Sequence, residues 1–418
     1  MSPVVRLLQQ HADWPAALSV LNRLQGAGHR ALFAGGCVRD ALMGRPAGDL
    51  DIATSALPDE VIALFEKTVE VGKSFGVVRV LIGEADLEVA TFREDGDYLD
   101  GRRPESVRFR GEKEDALRRD FTVNALFFDP LHDQVLDYVD GQKDLRARRL
   151  RTVGEPRRRF DEDHLRVLRA LRFSVQLDFQ IEAATWQEVG RRAADVSGVS
   201  RERIRDEMFK MLKVGGGEKA PRLLRESGLL PVLFPELAPW AQAMEKTSGR
   251  WLRPPSATLV EAFGRWLAGA VKAGASAQAW AKVLSGLRLS KSEEKALTRL
   301  LSVIADPERL WTRPLGARIL FYEEPETRQA LDLLEEIGPR DPRRDEVDAA
   351  WRAVRVNDRL PAPLLTGDAV KARLTGADIG EALRAALEAQ LEGRIRTPAE
   401  ALTWFEGWLK LKSASSTE

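Results

Sequence analysis

Residues 34–55 read AGGCVRDALMGRPAGDLDIATS. The RALF before them is a short apolar run closing on Gly35-Gly36, and VRDALMG has helical spacing with a glycine stop at Gly44. DLDIATS predicts a second strand, in which residues i and i+2 point to one face, so that Asp49 and Asp51 present two carboxylates side by side. Like charges held that close call for a cation, and oxygen ligands near phosphate suit Mg²⁺, which takes one or two carboxylates plus substrate oxygens. The glycine pair lets backbone N–H groups approach a triphosphate, and Arg39, one helical turn on, adds positive charge. A D-x-D after a glycine loop is also an ordinary surface turn. Its pairing with the upstream GGxVRD gives the stretch its chemical reading.

Around this stretch the chain runs to 418 residues, too long for one ordinary domain. Its 64 basic and 64 acidic residues cancel, so a nucleic-acid surface must come from local clustering. A single cysteine, Cys37, excludes an internal disulfide, the N-terminus lacks the charge and apolar run of a leader, and no apolar run is long enough to span a membrane. These features predict a soluble, cytoplasmic protein with no membrane partner. Helix and strand alternate up to about residue 150, and helix dominates after about 160. GVVRVLIG and ADLEVATF predict a hairpin turning at Gly83-Glu84, and the polar segment 93–106, REDGDYLDGRRPES, predicts a loop, mobile because its Gly96, Gly101 and charges bury little apolar area. TVNALFFD and QVLDYVD resume the strands. EDHLRVLRALRFSVQL then predicts one helix, Ser200 an N-cap for SRERIRDEMFKML, VGGGEKAP and WLRPPSAT breaks, residues 290–293 a capping box, and the final SASSTE disorder. No internal repeat is evident.

GGCVRD…GDLDIATSALPDEV, FGVVRVLIGEADLEVATFR, RRDFTVNAL, DYVDGQKDL and RFDEDHLRVLRALRF resemble, in order, the motifs of the class II tRNA nucleotidyltransferases, the CCA-adding branch of the nucleotidyltransferase and poly(A) polymerase superfamily. GADIGEALRAALEAQLEGRIRTPAEALTWF extends the likeness nearly to the C-terminus. The resemblance implies an α+β head with a mixed sheet (1–140, catalytic), followed by an all-α neck (141–213, base recognition), body (214–320) and tail (321–418, tRNA binding). It implies addition of CMP, CMP and AMP to the tRNA 3′ end from CTP and ATP, with Asp49 and Asp51 as the catalytic metal ligands for Mg²⁺. Nucleotide contacts fall to Gly35, Gly36, Arg39, Arg118, Arg119, Asp120, Asn124, Glu162, Asp163, Arg166 and Arg169. The acceptor and T arms of tRNA are the expected macromolecular partner, gripped by shape and backbone.

Chemistry runs beside the resemblance. Nucleotidyl transfer brings a 3′-hydroxyl onto an α-phosphate, and two metal ions about 4 Å apart can stabilise attacking and leaving oxygens. Glu88 on ADLEVATF is either a third carboxylate for such a site or a solvated strand residue. Arg118-Arg119-Asp120, beside a strand carrying Asn124, offers forks for phosphate and partners for a 2′-OH, though unaided it is a charged helix end. On a helix Glu162, Asp163 and Arg166 share one face, which by itself means a solvated ion pair. Cytosine and adenine each set an exocyclic amine beside a ring-nitrogen acceptor. Asp accepts from the amine and Arg donates to the ring nitrogen, whereas uracil and guanine would meet the same pair acceptor to acceptor and donor to donor. The resemblance gives Glu162 the task of orienting Arg166.

Residues 143–172 hold eleven Lys or Arg against five Asp or Glu, an RNA-binding excess or a solvated basic helix. Eight of the ten Trp lie from residue 240 onward and read mostly as core. No G-R-R-F-R segment of the bacterial poly(A) polymerases is present, the 93–106 loop is not shortened as in CC-adding enzymes, and none of His11, His29, His132 and His164 forms an H-D dipeptide for phosphohydrolase chemistry. CC-only or A-only addition, poly(A) synthesis and a non-catalytic RNA-binding role stay as alternatives. Oligomeric state is not legible.

Overall fold

The computed structural model describes residues 2–70, 75–96, 107–252 and 255–415. The chain forms two compact units, residues 1–238 and 239–418.

In the first unit α1 (Pro3–Leu8) and α2 (Trp14–Gly26) precede β1 (Ala31–Ala34), α3 (Gly36–Leu42), β2 (Ile52–Thr54), α4 (Pro58–Leu64), β3 (Thr68–Val69), β4 (Val77–Ile82) and β5 (Ala85–Thr91). Then come β6 (Arg93–Asp95), β7 (Val107–Phe109), α5 (Glu112–Arg118), β8 (Leu126–Asp129) and β9 (Gln134–Asp137). Among the described residues seven of these strands make one sheet in the order β3-β4-β5-β2-β1-β8-β9. It is mixed because β2 runs parallel to β5 while the other neighbours are antiparallel. β1 is buried along its whole length, with Leu32 and Ala34 joining Phe92 and Phe127 in the core and Phe33 stacked on Trp14 at 5.3 Å. The β4–β5 hairpin turns at Gly83-Glu84 as expected, with Gly83 at φ 61°.

Three local expectations for this unit need correcting. β2 begins at Ile52, so Asp49 and Asp51 stand on the extended lead-in rather than in the strand. Ala34 N–H still bonds the Asp51 carbonyl at 3.0 Å, but Gly35, at φ 72°, turns β1 into α3 and leaves nothing extended for Asp49 to pair with. Leu50 is buried between the two aspartates, so they keep a common side. Asn124 is not on a strand either. It closes the 3-10 turn Thr122–Asn124, because Asp120 Oδ1 accepts from both Phe121 N and Asn124 Nδ2 and curls the chain ahead of β8. Finally, Arg93–Asp95 is strand, paired with β7, rather than loop, and residues 97–106, Gly101 included, lie outside the described residues.

Further along the first unit run α6 (Gly141–Arg146), β10 (Arg149–Leu150), α7 (Pro156–Glu162), α8 (Leu165–Leu177), β11 (Gln180–Ile181), α9 (Ala183–Arg192), α10 (Arg201–Leu212), α11 (Lys219–Glu226) and α12 (Leu229–Leu233). The single helix expected over EDHLRV is two. Asp163, at φ −148° and ψ 106°, leaves the helix and its Oδ1 accepts from Leu165 N at 3.1 Å, so the side chain competes with the backbone ladder and starts α8 afresh. Glu162, Asp163 and Arg166 therefore do not share one continuous helix. Ser200 precedes α10, but its hydroxyl makes no capping bond. The short parallel pair β10–β11 was not foreseen.

The second unit is helical, beginning with α13 (Ala241–Trp251), α14 (Leu259–Lys272), α15 (Ala277–Gly286) and α16 (Lys291–Ala305) and closing with the helix Pro398–Ser415. The 290–293 capping box forms as predicted, Ser290 N donating to Glu293 Oε2 at 2.8 Å. α13 and α14 meet so closely at Gly269 that a Cβ there would lie 2.0 Å from Ser248 Oγ. Trp251, Trp266, Trp280 and Trp311 are buried, and Trp240, Trp351, Trp404 and Trp408 are half-buried. Ser413–Ser415 finish the last helix instead of being disordered, and 416–418 lie outside the described residues. Among the described residues no helix is long and apolar enough to cross a membrane.

Candidate active site

In the first unit the end of β1, the lead-in to β2, β5, the turn after α5, and helices α8 and α10 enclose a cleft of about 560 Å³. Gly35, Gly36, Arg39, Asp51, Glu88, Arg118, Arg119, Asp120, Asn124, Asp163, Arg166 and Arg169 all line it, which gathers residues spread over the first half of the sequence. Asp49 flanks it beyond buried Leu50, and Glu162 stands behind Arg166.

The carboxylate corner follows from strand register. β2 and β5 pair Ile52 with Val89, which brings Glu88 opposite Asp51. Burial, with Glu88 and then Asp49 adding repulsion, pushes the Asp51 carboxyl up to about 6. Among the described residues no ion pair to Asp49, Asp51 or Glu88 is formed, and no group of three or more His, Cys, Asp or Glu is arranged as a metal cage. The charge of Arg119 offsets part of the repulsion at Asp51, and carboxylates left without an ion-pair partner fit a divalent cation that takes its remaining oxygens from a ligand. Beneath them Cys37 is buried, and burial together with the charge of Asp51 pushes its thiol up to about 12, which leaves it inert.

Arg39 does not reach openly into the cleft. Its guanidinium is buried behind the glycine turn, donating to Asn124 Oδ1 at 2.6 Å and Asp40 Oδ1 at 2.8 Å. Asn124 passes the link to Asp120, whose Oδ2 accepts from Arg169 Nε at 2.9 Å. Burial works to raise the Asp120 carboxyl, but Arg169 beside it, helped by Arg166 and the Asn124 amide, holds it well below the usual carboxylate range. Arg118 and Arg119 are both gripped by buried Asp115, at 2.6 and 3.0 Å, and Arg119 lies over the Phe127 ring at 4.9 Å.

At the other wall Arg166 Nη1 donates to Glu162 Oε2 at 2.6 Å and Arg159 O at 3.1 Å, and Nη2 to Arg118 O at 3.3 Å. A guanidinium has five N–H donors, so two remain for a ligand. Asp163 is held by Arg203 at 2.7 Å, and no ion pair joins it to Arg166 among the described residues. Sequence reasoning missed Asp115, Arg203 and Glu207. Asp115 is signalled by its i+3 and i+4 spacing to Arg118 and Arg119. Glu207, which pairs with Arg172 at 2.5 Å, is a buried acid among the apolar positions of α10.

The Poly A polymerase head domain family model matches residues 31–151, and that of the probable RNA and SrmB-binding site of polymerase A matches 178–241. The CCA-adding enzyme of Limosilactobacillus fermentum is 33% identical over 395 residues, 94% of this chain and 96% of that protein. That of Geobacillus thermodenitrificans is 47% identical over 242 residues, 58% of this chain and 57% of the relative, so this match spans little more than half of each. Among solved structures, the Bacillus stearothermophilus CCA-adding enzyme in complex with CTP superposes with a TM-score of 0.78 at 29% identity, over 99% of this chain and 100% of that one. The Thermotoga maritima CCA-adding enzyme complexed with tRNA_CCA shares the fold, with a TM-score of 0.61 at 20% identity over 97% and 98% of the two chains. With a mixed-sheet head, a helical remainder and a relative this similar over nearly its whole length, the chain belongs to the CCA-adding enzymes, a family of nucleotidyltransferases.

Proposed function

We propose that this protein adds CMP, CMP and AMP in turn to the 3′ end of tRNA from CTP and ATP, releasing pyrophosphate and using no nucleic-acid template. The observation that carries the proposal is the cleft wall on which Asp163 and Arg166 stand unpaired with one another, one an acceptor and the other a donor with N–H groups to spare, in one cleft with a carboxylate corner that forms no ion pair among the described residues. The named relatives bind CTP and tRNA_CCA, and this chain takes the same classes of ligand.

Asp49 and Asp51, with Glu88 as the third carboxylate, would hold the metal. Two Mg²⁺ ions bound there would stabilise the attacking 3′-oxygen and the leaving pyrophosphate oxygen. The backbone N–H of Gly36, together with Arg118 and Arg119, receives the triphosphate, while the Gly35 N–H, donated to the Leu126 carbonyl at 2.9 Å, fixes the turn, and Asp115 keeps both guanidiniums aimed. Asn124, whose amide keeps one N–H after Asp120 takes the other, sits where a ribose hydroxyl can be bonded, and Asp120, its own acceptor positions filled by Phe121 N, Asn124 and Arg169, holds it there. Asp163 accepts the exocyclic amine of C or A while Arg166, braced by Glu162, donates to the ring nitrogen, and UTP or GTP would leave both groups unpaired. The helical remainder grips the acceptor and T arms.

Incubating the protein with CTP, ATP and Mg²⁺ on tRNAs that end before, within and after the CC step tests the reading. Stepwise completion of all three to CCA is expected. Growth that stops at CC, addition of A alone, or a long A tail would each replace it by the corresponding partial enzyme or a poly(A) polymerase.

A further inference from the structure

We propose that Arg203, on α10, is a positioning residue for base selection and acts by holding the Asp163 carboxylate toward the cleft. The inference rests on the nucleotide-selecting role given above to Asp163.

Asp163 has left the helix, so no helical backbone sets the direction of its side chain. Two bonds do so instead. Leu165 N donates to Oδ1 at 3.1 Å, and Arg203 Nη2 donates to Oδ2 at 2.7 Å. A carboxylate has about four acceptor positions, so with one taken on each oxygen both can still accept from a base amine. Arg203 lines the cleft beside Asp163. Asp163 is its sole ion-pair partner among the described residues.

α10 serves α8 twice. Glu207, one turn beyond Arg203, meets Arg172 at 2.5 Å and Arg169 at 3.7 Å, so an i,i+4 pair of opposite charges on one helix takes the acid of the base-reading wall with its arginine and the arginines with its acid. Without Arg203 the cations left near Asp163 are on α8. Arg169 already feels its charge, and Arg166 is three residues on. A swing of Asp163 onto Arg166 would pair the acceptor with the donor and silence both.

The test is a cycle of R203M, D163N and the double variant, with CTP, ATP and UTP kinetics on tRNA ending before the CC step and after it. Losing one charge-assisted hydrogen bond should raise KM for CTP and ATP by roughly 10- to 100-fold with kcat within about threefold, and raise the UTP-to-CTP incorporation ratio by a similar factor. Because Arg203 acts through Asp163, the double variant should match D163N alone, and R203K, which keeps the charge, should recover part of the loss. Penalties that simply add, or an equal fall in kcat for every nucleotide at constant KM, would overturn the proposal. If R203M melts below the assay temperature, R203Q carries the same test with the same outcomes. A wild-type protein that incorporates neither CTP nor ATP overturns the function and the proposal together. One that incorporates both beside an R203M variant indistinguishable from it overturns Arg203 alone.

Discussion

Arg169 grips a single oxygen of Asp120, donating Nε at 2.9 Å and Nη2 at 2.5 Å, so that one residue of α8 locks the turn after α5. Asp120 also anchors Phe121 N and the Asn124 amide, and it is buried. Removing its charge leaves Arg169 facing Glu207 and, more weakly, Asp163, and should cost about 3 kcal/mol, the lower end of what breaking a buried pair costs because Arg169 is partly exposed. The folded carboxyl titrates below its unfolded value near 3.9, so its stabilisation is present above about pH 4 and is lost as pH falls through the lowered folded value. Chemical denaturation should show D120N destabilised at pH 7, with the gap to wild type narrowing below about pH 4. A gap independent of pH would mean that the ion pair is not its source.

Asp49→Ala and Asp51→Ala should each abolish nucleotide incorporation without lowering the melting temperature of the metal-free protein. Asp51→Ala removes a carboxylate whose ionisation burial and the charges of Glu88 and Asp49 oppose, and Asp49→Ala removes an exposed neighbour that adds to that repulsion, so folding loses nothing and gains relief of repulsion. Chelation of the divalent cation should mimic both variants in wild type. Glu88→Gln, opposite Asp51 in the register, tests the third carboxylate. Activity falling by more than about tenfold, or 1.4 kcal/mol, assigns Glu88 to the site, and wild-type activity returns it to the solvated surface.

Much of this was legible because the informative residues sit at spacings the backbone converts directly into geometry. Gly35 needs a positive φ, the capping box at 290–293 is wholly local, and the hairpin over GVVRVLIGEADLEVATF is an alternation of apolar residues around Gly83. The misses come from carboxylates that take backbone or side-chain donors the periodicity does not register, some a few residues away and some on another element. Whether DLD is strand depends on what β1 offers opposite it, and β1 ends at Ala34, before the turn at Gly35. Asp163 breaks a helix whose periodicity runs straight through it, because its carboxylate is claimed by Leu165 N and by Arg203, forty residues on. Asp115 is signalled only by its helical spacing to Arg118 and Arg119, whereas the partners of Arg203 and Glu207 are set by the packing of α10 on α8 and the turn before it.

Gly35→Ala should be destabilising and should weaken nucleotide binding together. Gly35 has φ 72°, where a Cβ is strained by about 1 kcal/mol, and that Cβ would stand 2.9 Å from Arg119 Nη1. Arg119 must then move off the Asn124 carbonyl, to which it donates at 3.1 Å, and off its aim at the cleft. Thermal melting should fall by several degrees, and KM for CTP and ATP should rise. Gly36→Ala, whose Cβ would lie 3.7 Å from Arg39 and whose φ is not positive, is the control and should be milder in both measurements.

Arg166→Ala tests base reading most directly, and the contacts around α7 and α8 are built to survive it. Glu162 Oε2 keeps its second partner, Arg159 Nη1 at 2.8 Å, so no buried carboxylate is left bare, and Arg159 also still bonds the Arg118 and Leu117 carbonyls. What disappears is the donor for ring N3 of cytosine or N1 of adenine, a charge-assisted bond worth about 1.5–3 kcal/mol. Discrimination should fall by roughly one to two decades, with UTP and GTP gaining on CTP and ATP because no guanidinium now opposes their ring N–H. The carboxylate corner and the grip of Asp115 on Arg118 and Arg119 lie outside the change, so the rate at saturating CTP should drop far less than selectivity. Competition assays with paired nucleotides on one tRNA read the ratio. If all four nucleotides slow by a common factor, Arg166 only supports the Arg118 and Arg159 carbonyls and base selection lies elsewhere in the cleft.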